Sequence, residues 1–363
     1  MLAGQAGHPN TPPLLKENMA KRTKHLVGLD IDPSGITAVQ VAVNGRVTVQ
    51  RAALAELEAG IVRDGEIADA DGLAEALRTL WREHKGLDKR VRVGVANQKI
   101  VVRIIELPPV ADPKELDAVV RFQAQDNIPM PLDQAVLDYS PLDVVDLGGG
   151  PRQRVVVVAA RRDMVERLLG ALRAAGLRPE GIDLSAFAMV RALHRPGPDD
   201  EHVLYLSIGG LTNLAVAQGT TCLFTRASSG GLEMLAIELA ERAALTLEHA
   251  RGWLGHVGLE HPVEDIDGDQ EIVVEARQVL ADGVRRIAAD VRNSLDFHHA
   301  QGIPGNVARV VMTGPAAAVP GFADALGVEL ALPVETGVVD GPPGLDAGRL
   351  TVAAGLALEE ALA

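Results

Sequence analysis

Two short segments place a polar residue and a glycine-containing turn directly after an apolar run, and this combination can bind phosphate. One follows residues 27–29 and begins at Asp30, and the other follows residues 204–206 and begins at Ser207. A tight turn of this kind directs successive backbone N–H groups outward, where they can donate hydrogen bonds to an anion. Each turn alone is weak evidence, because any tight hairpin favours glycine. Together they indicate a phosphate clamp, at least by ancestry.

The two segments also form an internal repeat. In each, an apolar strand is followed by a polar residue, a turn with glycine, and a returning strand with alternating apolar residues. Asp30 and Ser207 lie 177 positions apart. This spacing predicts two similar lobes that face each other.

No other combination of residues predicts a catalytic residue or a metal site. The P-loop, nucleophile-elbow and zinc-protease motifs are absent from the sequence. The acidic segment 264–269 is interpreted as a solvated loop, because Ala276 stands where a calcium loop needs its last ligand. His298 and His299 are interpreted as a helix-end or exposed pair, and Cys222 as a packing residue of a strand.

Composition excludes several functional classes. The chain of 363 residues carries a net charge of −14 and only 2% aromatic residues, which disfavours nucleic-acid binding. Cys222 is the single cysteine, so an intrachain disulfide is excluded. The longest apolar run, residues 155–160, is far shorter than the ~20 residues needed to span a bilayer. We therefore expect a cytoplasmic protein that does not insert into a membrane.

The chain begins with a predicted disordered leader, residues 1–24, which contains prolines and a small basic cluster. A solvated tail is the favoured interpretation, and weak contact with an anionic membrane surface is the alternative. Beyond it, two alternating apolar runs flank Asn44-Gly45, which is the strongest short signal for a β-hairpin.

Helices are predicted from capping residues and from apolar periodicity. Asp71 is predicted to start one helix, Asp112-Pro113 a second and Asp163 a third. The apolar stripe from 272 to 295 predicts a long helix, because it repeats about every 3.6 residues.

The most specific motif lies between Phe122 and Leu132 and is followed by Asp138-Tyr139. A predicted helix there ends at an Ile-Pro-Met-Pro sequence and leads into a strand. This stretch resembles the corresponding part of the type IV pilus assembly protein PilM family, within the actin-like ATPase superfamily. Four further blocks resemble the same family, so the resemblance runs from Leu26 to about Leu358. These blocks are residues 157–161, 175–179, 223–226 and 319–322.

The resemblance implies an α/β fold of the actin-like type, a duplicated ribonuclease H-like fold with two lobes and an inserted α+β subdomain, as in the cell-division protein FtsA. The following division of this chain is then expected. The first lobe takes 25–96 and 182–200, the inserted SHS2-like subdomain 97–181, the second lobe 201–229 and 301–363, and its helical subdomain 230–300.

In that superfamily ATP, with Mg²⁺, lies in the cleft between the lobes. The resemblance implies that the corresponding positions here are Asp30, Asp32, Ser34, Thr37, Ser207, Gly209, Gly210, Thr212 and Gly314. Several of them depart from the family pattern: Asp32 replaces a glycine, Thr37 a lysine and Ser207 a second aspartate. Further replacements are Arg251 and Leu254 for a Glu and a Lys, and Gly314-Pro315-Ala316 for three glycines.

These departures all weaken a nucleotide site. A carboxylate at position 32 would repel each phosphate charge by roughly 3 kcal/mol at ~5 Å and an effective dielectric of ~20. Loss of the lysine removes a compensating cation, and loss of the second aspartate removes an oxygen ligand for Mg²⁺. Magnesium could offset part of the repulsion, so binding stays open. Hydrolysis is not expected, because it needs positioning and charge stabilisation together.

The resemblance also implies a partner, the membrane protein PilN, whose extended cytoplasmic N-terminal peptide lies in a groove beside the inserted subdomain. Contacts with the ATPases of the pilus motor are a further implication. The candidate groove residues are Leu107, Pro108, Phe122, Gln125, Ile128 and Pro129. The alternative interpretation of the proline-rich segments is plain loop structure, and Phe122 could instead belong to the core.

The expected function is therefore that of a scaffold in the inner-membrane assembly complex of the type IV pilus. It would be cytoplasmic and peripheral at the inner face of the membrane through its partner, with a degenerate nucleotide site and no enzymatic activity. The alternative is an active actin-like ATPase whose turnover drives assembly or polymerisation. A sugar kinase of the same fold is disfavoured, because the sequence offers no evident carboxylate to act as a base.

Overall fold

The computed structural model describes residues 26–43, 47–146, 150–198, 201–300 and 305–358. The expected leader 1–24 and the Asn44-Gly45 turn lie outside the described residues. Within the described part of the chain, no helix combines the length and the hydrophobicity that crossing a membrane requires.

The strands are numbered in chain order. They are β1 (Val27–Asp32), β2 (Gly35–Val43), β3 (Val47–Glu56), β4 (Val62–Arg63), β5 (Glu66–Ile67), β6 (Arg90–Val95), β7 (Val101–Leu107), β8 (Ala135–Asp146), β9 (Pro151–Arg161), β10 (Arg178–Leu184), β11 (His202–Ile208), β12 (Thr212–Gln218), β13 (Thr221–Ser228), β14 (Val307–Thr313) and β15 (Val334–Thr336).

The α-helices are numbered in the same way. They are α1 (Ala70–Glu83), α2 (Pro113–Asn127), α3 (Arg162–Ala174), α4 (Ser185–Leu193), α5 (Leu232–Arg242), α6 (Leu247–Val257), α7 (Gln270–Ala300), α8 (Phe322–Leu330) and α9 (Ala347–Ala357).

The first sheet contains five strands in the order β10-β6-β1-β2-β3. β1, β2 and β3 are antiparallel neighbours, whereas β6 and β10 run parallel. The predicted pairing on either side of residues 44–46 is confirmed, since β2 and β3 pair along their whole length. Gly35 pairs with Glu56 at one end, and Val43 pairs with Val47 at the other. Apolar side chains of α1 and α3 cover one face of this sheet, because their inward positions repeat at helical spacing.

The second sheet repeats this topology. Its order is β13-β12-β11-β14-β15, with three antiparallel strands followed by two parallel ones. β1 and β11 therefore occupy equivalent positions in two separate sheets. The internal repeat read from the sequence corresponds to this duplication.

A third sheet, β7-β9-β8, lies between β6 and β10 in the chain. All its pairs are antiparallel, and α2 covers one face with Leu116, Val120 and Ala124. β9 is central, because it pairs with both β7 and β8. It is rich in valine, because its side chains face apolar neighbours on both sides of the sheet. We keep 97–181 as the proposed bounds of the inserted subdomain.

Helices α5 to α8 cover the second sheet. The predicted apolar stripe of α7 is confirmed, since Ala276, Val279, Ile287 and Val291 are buried against the second sheet and its helices. This helical layer completes the core of the second lobe.

Two predicted helix starts are wrong by a residue or two. α1 is capped by Asp69, whose carboxylate accepts hydrogen bonds from the N–H groups of Asp71 and Gly72. α3 follows β9 without a side-chain cap, because the Asp163 carboxylate pairs with Arg161. The cap at Asp112 is confirmed.

Helices α4 and α9 lie between the two large sheets and join them. They share one core with Val39 of the first sheet and with Tyr205 and Val311 of the second. α9 packs directly on β1, where a Cβ atom added to Gly28 would lie 1.8 Å from the carbonyl oxygen of Ala353. The sequence assigned this helix to the second lobe with residues 301–363, and that assignment stays a prediction, although α9 also contacts β1 and β2 of the first sheet.

We predict that Gly28→Ala destabilises the protein. The added methyl group would overlap the backbone of α9, and overpacking of this kind costs about 1–3 kcal/mol or more. Urea unfolding should therefore show a lower free energy of unfolding. Gly170→Ala is the control, because Gly170 lies in α3 with open space around it and should gain about 0.5–1 kcal/mol. Equal stability of Gly28→Ala and the wild type would contradict the packing of α9 on β1.

Candidate functional site

The two glycine-containing turns face each other where β1 and β11 end. The β1–β2 turn contributes Asp32 and Ser34, and the β11–β12 turn contributes Gly209 and Gly210. Because α4 and α9 hold the sheets together, the backbone N–H groups of both turns converge on one small region. The residues of the two predicted turns therefore lie together in the tertiary structure.

The carboxylate of Asp32 occupies the space between the turns. Its Oδ1 accepts hydrogen bonds from Ser34 N at 2.7 Å, Ser34 Oγ at 2.6 Å and Gly35 N at 3.1 Å. Its Oδ2 accepts one from Gly210 N at 2.9 Å, across the cleft. The donors that would bind a phosphate therefore already bind a carboxylate of the same chain.

Little space remains beside this carboxylate. Most of the predicted nucleotide residues line a cavity of about 30 Å³, which accommodates one or two water molecules. They are Asp30, Asp32, Ser34, Thr37, Ser207, Gly209 and Gly314. Gly210 adjoins the same carboxylate, whereas Thr212 is buried and donates its hydroxyl hydrogen bond to the carbonyl of Gly230. In this conformation the cleft does not fit a triphosphate.

Asp30 adds a second carboxylate to the cleft. Its Oδ1 accepts a hydrogen bond from Ser185 Oγ at 3.2 Å. Burial, and then the neighbouring Asp32, raise the pKa of Asp30 to about 7. No group of three or more metal-ligating side chains occurs among the described residues. These residues do not fit a Mg²⁺ nucleotide, since their carboxylates are bound to donors of the protein.

Arg251 forms ion pairs on the side of the cleft where the resemblance implies a nucleoside. Arg251 binds Glu233 through two nitrogens, at 2.9 and 2.6 Å, and reaches Glu56 of β3 at 2.5 Å. Leu254 is buried in the core of the second lobe, and Pro315 begins a short 3₁₀ turn. The cavity here measures about 190 Å³, which is below the usual range of ligand pockets of about 300–1,000 Å³.

Sequence reasoning missed the two partners of Arg251 and the cation Arg349. Arg349 lies in the first turn of α9 and lines both cavities of the cleft. Nothing in its sequence neighbourhood marked it, because α9 reaches the cleft only through its packing on the first sheet.

The predicted groove residues separate into two groups. Leu107 is fully buried and Ile128 is 5% exposed, both in the core between α2 and the third sheet. The inward faces of β7 and of the end of α2 form that core, and a role of these two residues in a groove stays a prediction. Pro108, Phe122, Gln125 and Pro129 are exposed, and Phe122 is 65% exposed rather than part of a core.

Pro129 adjoins a cavity of about 320 Å³ between the third sheet and the second lobe. Its other lining residues include the polar Asn97, Arg103 and Arg226 together with Phe297. Polar and apolar residues therefore both line this cavity.

A more apolar groove lies between the third sheet and the first lobe, beside the inserted subdomain where the resemblance implies a peptide groove, but none of the six predicted groove residues lines it. It has a volume of about 250 Å³ and is lined by Val95, Val136, Asp138, Tyr139, Ser140, Val156, Val158, Ala160, Val165, Ile182, Asp183, Leu184 and Phe187. Alternate residues of a strand lie on the same face, so Val136, Asp138 and Ser140 share one face of β8. This spacing could have indicated that the three residues line one groove.

Two minor predictions, for Cys222 and for His298, have clear outcomes. Cys222 is buried, as predicted, and burial raises the pKa of its thiol to about 12. His298 lies in the last turn of α7, as the helix-end interpretation predicts, but it is fully buried, so the exposed alternative does not apply to it. It packs against Phe224, and desolvation lowers its pKa to about 4.

Comparison with known proteins places this architecture in context. A family model described as "Type IV pilus assembly protein PilM" matches residues 28–360. Among solved structures, the chain is similar to the "PilM-PilN type IV pilus biogenesis complex", with 26% identity and a TM-score of 0.74. That match covers 92% of this chain and 97% of the other.

Two more distant structures share the fold. One is the ethanolamine utilization protein EutJ from Carboxydothermus hydrogenoformans, with 18% identity, coverage of 92% and 88%, and a TM-score of 0.51. The other is MreB5 of Spiroplasma citri bound to ADP, with 12% identity, coverage of 91% and 94%, and a TM-score of 0.55. The predicted two-lobed, actin-like α/β fold is confirmed.

We predict that Asp30→Asn stabilises the protein more at pH 8 than at pH 4. Because the folded-state pKa of about 7 lies above the ordinary aspartate pKa of 3.8, Asp30 contributes stability that is lost as pH rises from 3.8 through about 7. The amide cannot ionise and avoids this loss. Urea unfolding at the two pH values measures the difference, with the exposed Asp126→Asn as control. A pH-independent difference between Asp30→Asn and the wild type would argue against the raised pKa.

Proposed function

This chain belongs to the type IV pilus assembly protein PilM family, and from that premise we propose that it is a scaffold of the pilus assembly machine. In this proposal it binds the N-terminal peptide of a PilN-like membrane protein and does not hydrolyse ATP. The observation that carries the proposal is the apolar groove between the third sheet and the first lobe, described above.

The groove is bounded by the edges of two sheets. β8 is one of the two outer strands of the third sheet, and β10 is one of the two outer strands of the first, as far as the structure describes them. An outer strand offers backbone donors and acceptors along one side, so an extended peptide can bind by adding a strand. Main-chain hydrogen bonds of this kind favour an extended partner over a helical one.

The lining of the groove suits apolar side chains. Val136, Val158, Ile182 and Phe187 lie along it, and alternate residues of an extended peptide would point toward them. The cavity beside Pro129 is less suitable, because two arginines line it.

Polar groups at the groove favour a peptide that also carries positive charge. Asp138 is exposed at the rim, whereas the carboxylate of Asp183 already pairs with Arg191. A basic residue next to an apolar segment would therefore complement Asp138. A membrane-anchored partner of this kind would hold the chain at the inner face of the cytoplasmic membrane, where contacts with the motor ATPases are also proposed.

The cleft supports a role without ATP turnover. The Asp32 carboxylate binds the donors of both turns, and Arg251 is engaged by two glutamates. The rival function, an active ATPase, would require these groups to be displaced before a triphosphate could bind.

We predict that Val136→Asp weakens binding of a synthetic N-terminal peptide of the PilN-like partner by about tenfold or more, or about 1.4 kcal/mol. The introduced carboxylate would lie in the apolar groove, where Val136 is 37% exposed. Fluorescence anisotropy measures the affinity. Val144→Asp is the matched control, because Val144 is 57% exposed on the same strand and does not line the groove.

Phe122→Ala tests the alternative position on the outer face of α2. Loss of binding in Phe122→Ala, together with full binding in Val136→Asp, would move the site to that face. Equal affinity of all three variants and the wild type would reject both positions. Each variant must retain the melting temperature of the wild type.

We predict that the wild type neither binds Mg-ATP at micromolar concentration nor releases phosphate from it. The reason is the occupied cleft, with about 30 Å³ left beside Asp32. Calorimetric titration and a phosphate-release assay make the test. Micromolar affinity with turnover abolished by Asp30→Ala would establish the ATPase instead.

A further inference from the structure

We propose that Asp32 is a built-in anion that takes the position of a nucleotide phosphate and links the two lobes without any nucleotide. This inference goes beyond the proposed function, since it concerns the conformation of the cleft and does not depend on the peptide partner. It explains why a residue that would repel ATP lies at the centre of the clamp.

The hydrogen bonds of Asp32 reach both lobes. Ser34 N, Ser34 Oγ and Gly35 N belong to its own turn, and Gly210 N belongs to the opposite turn. A local turn motif accounts for the bonds to Oδ1, because an aspartate commonly accepts from the backbone two or three residues later. The bond from Gly210 N to Oδ2 has no local explanation, since 178 residues separate the partners.

The opposite turn is shaped to receive this carboxylate. A Cβ atom added to Gly210 would lie 2.8 Å from Asp32 Cγ and 2.8 Å from Ser34 N. A Cβ atom added to Gly209 would lie 3.1 Å from Asp32 Oδ2. The two glycines therefore permit a close approach that any larger residue at position 210 would prevent.

A second link crosses the same cleft. Arg251 of α6 is held by the largely buried Glu233, and its remaining nitrogen donates to Glu56 of β3. Glu56 is more than half exposed, so this link is weaker than a buried ion pair. The Asp32 link is part-buried, and we assign it the larger role in holding the two turns together.

The consequence is a closed cleft that needs no ligand. In hinged two-lobe proteins a ligand bound between the lobes favours the closed state, because it contacts both. Here a side chain makes those contacts permanently. The scaffold would then present one fixed arrangement of its lobes at any nucleotide concentration.

Two measurements on the full chain test the inference: the rate of amide hydrogen exchange at Gly210, and the change of Tm on addition of inorganic pyrophosphate. In Asp32→Ala, the Gly210 amide should exchange about tenfold faster or more, equivalent to about 1.4 kcal/mol. The same variant leaves the N–H groups of both turns without their acceptor. Pyrophosphate should therefore raise its Tm in a concentration-dependent way, compared with chloride at equal ionic strength.

Three further proteins act as references. The wild type should show no Tm response to pyrophosphate, because Asp32 already occupies the donors. Asp133→Ala removes one exposed carboxylate elsewhere and should behave as the wild type. Gly210→Ala should increase exchange in the turn without a response to pyrophosphate, because its methyl group fills the space.

Two results would overturn the inference. One is a wild type that pyrophosphate stabilises, and the other is an Asp32→Ala variant with unchanged exchange at Gly210. If Asp32→Ala does not fold, Asp32→Asn decides the matter, since it keeps the shape but only one of its two terminal atoms can accept. Unchanged exchange at Ser34, Gly35 and Gly210 in Asp32→Asn would then reject the role of the charge.

Discussion

Two tight turns that point their backbone N–H groups at each other need an acceptor between them, and this requirement organises the cleft. Buried donors without partners cost about 1–3 kcal/mol each, and hydrogen bonds to a charged acceptor contribute about 1.5–3 kcal/mol. Asp32 meets the requirement from within the chain, with donors from both lobes. The glycines at 209 and 210 and the small residual cavity follow from the presence of its carboxylate.

The packing of α4 and α9 between the sheets sets how closely the turns approach. Gly28 lies against the backbone of α9, and a Cβ atom added to Gly355 would lie 1.9 Å from the carbonyl oxygen of Ala188 in α4. Side chains at these positions would separate the helices from each other and from β1. The actin-like fold sets the positions of these helices and turns, whereas the side chains in the cleft decide its chemistry, in agreement with the general separation of fold and site chemistry.

In the third sheet, the central strand belongs to the core and an outer strand borders the groove. β9 packs against α2 on one face and against the first lobe on the other, so this strand carries apolar side chains on both faces. β8 remains an outer strand, and the groove forms where it meets β10. Leu107 and Ile128 pack in the core beneath α2, whereas Phe122 lies on the face of α2 opposite to the buried Leu116, Val120 and Ala124.

The sequence by itself determined the elements, the repeat and the residues of the clamp, because local periodicity and turn chemistry depend on neighbours in the chain. The strand pairing beside residues 44–46, the stripe of α7 and the cap at Asp112 are all of this kind. Only the tertiary structure decided what fills the clamp. Asp32 was interpreted as a charge that repels phosphate, yet its role depends on the position of Gly210, 178 residues away. The same holds for Arg349, the partners of Arg251 and the groove between β8 and β10, since each arises from contacts between distant segments.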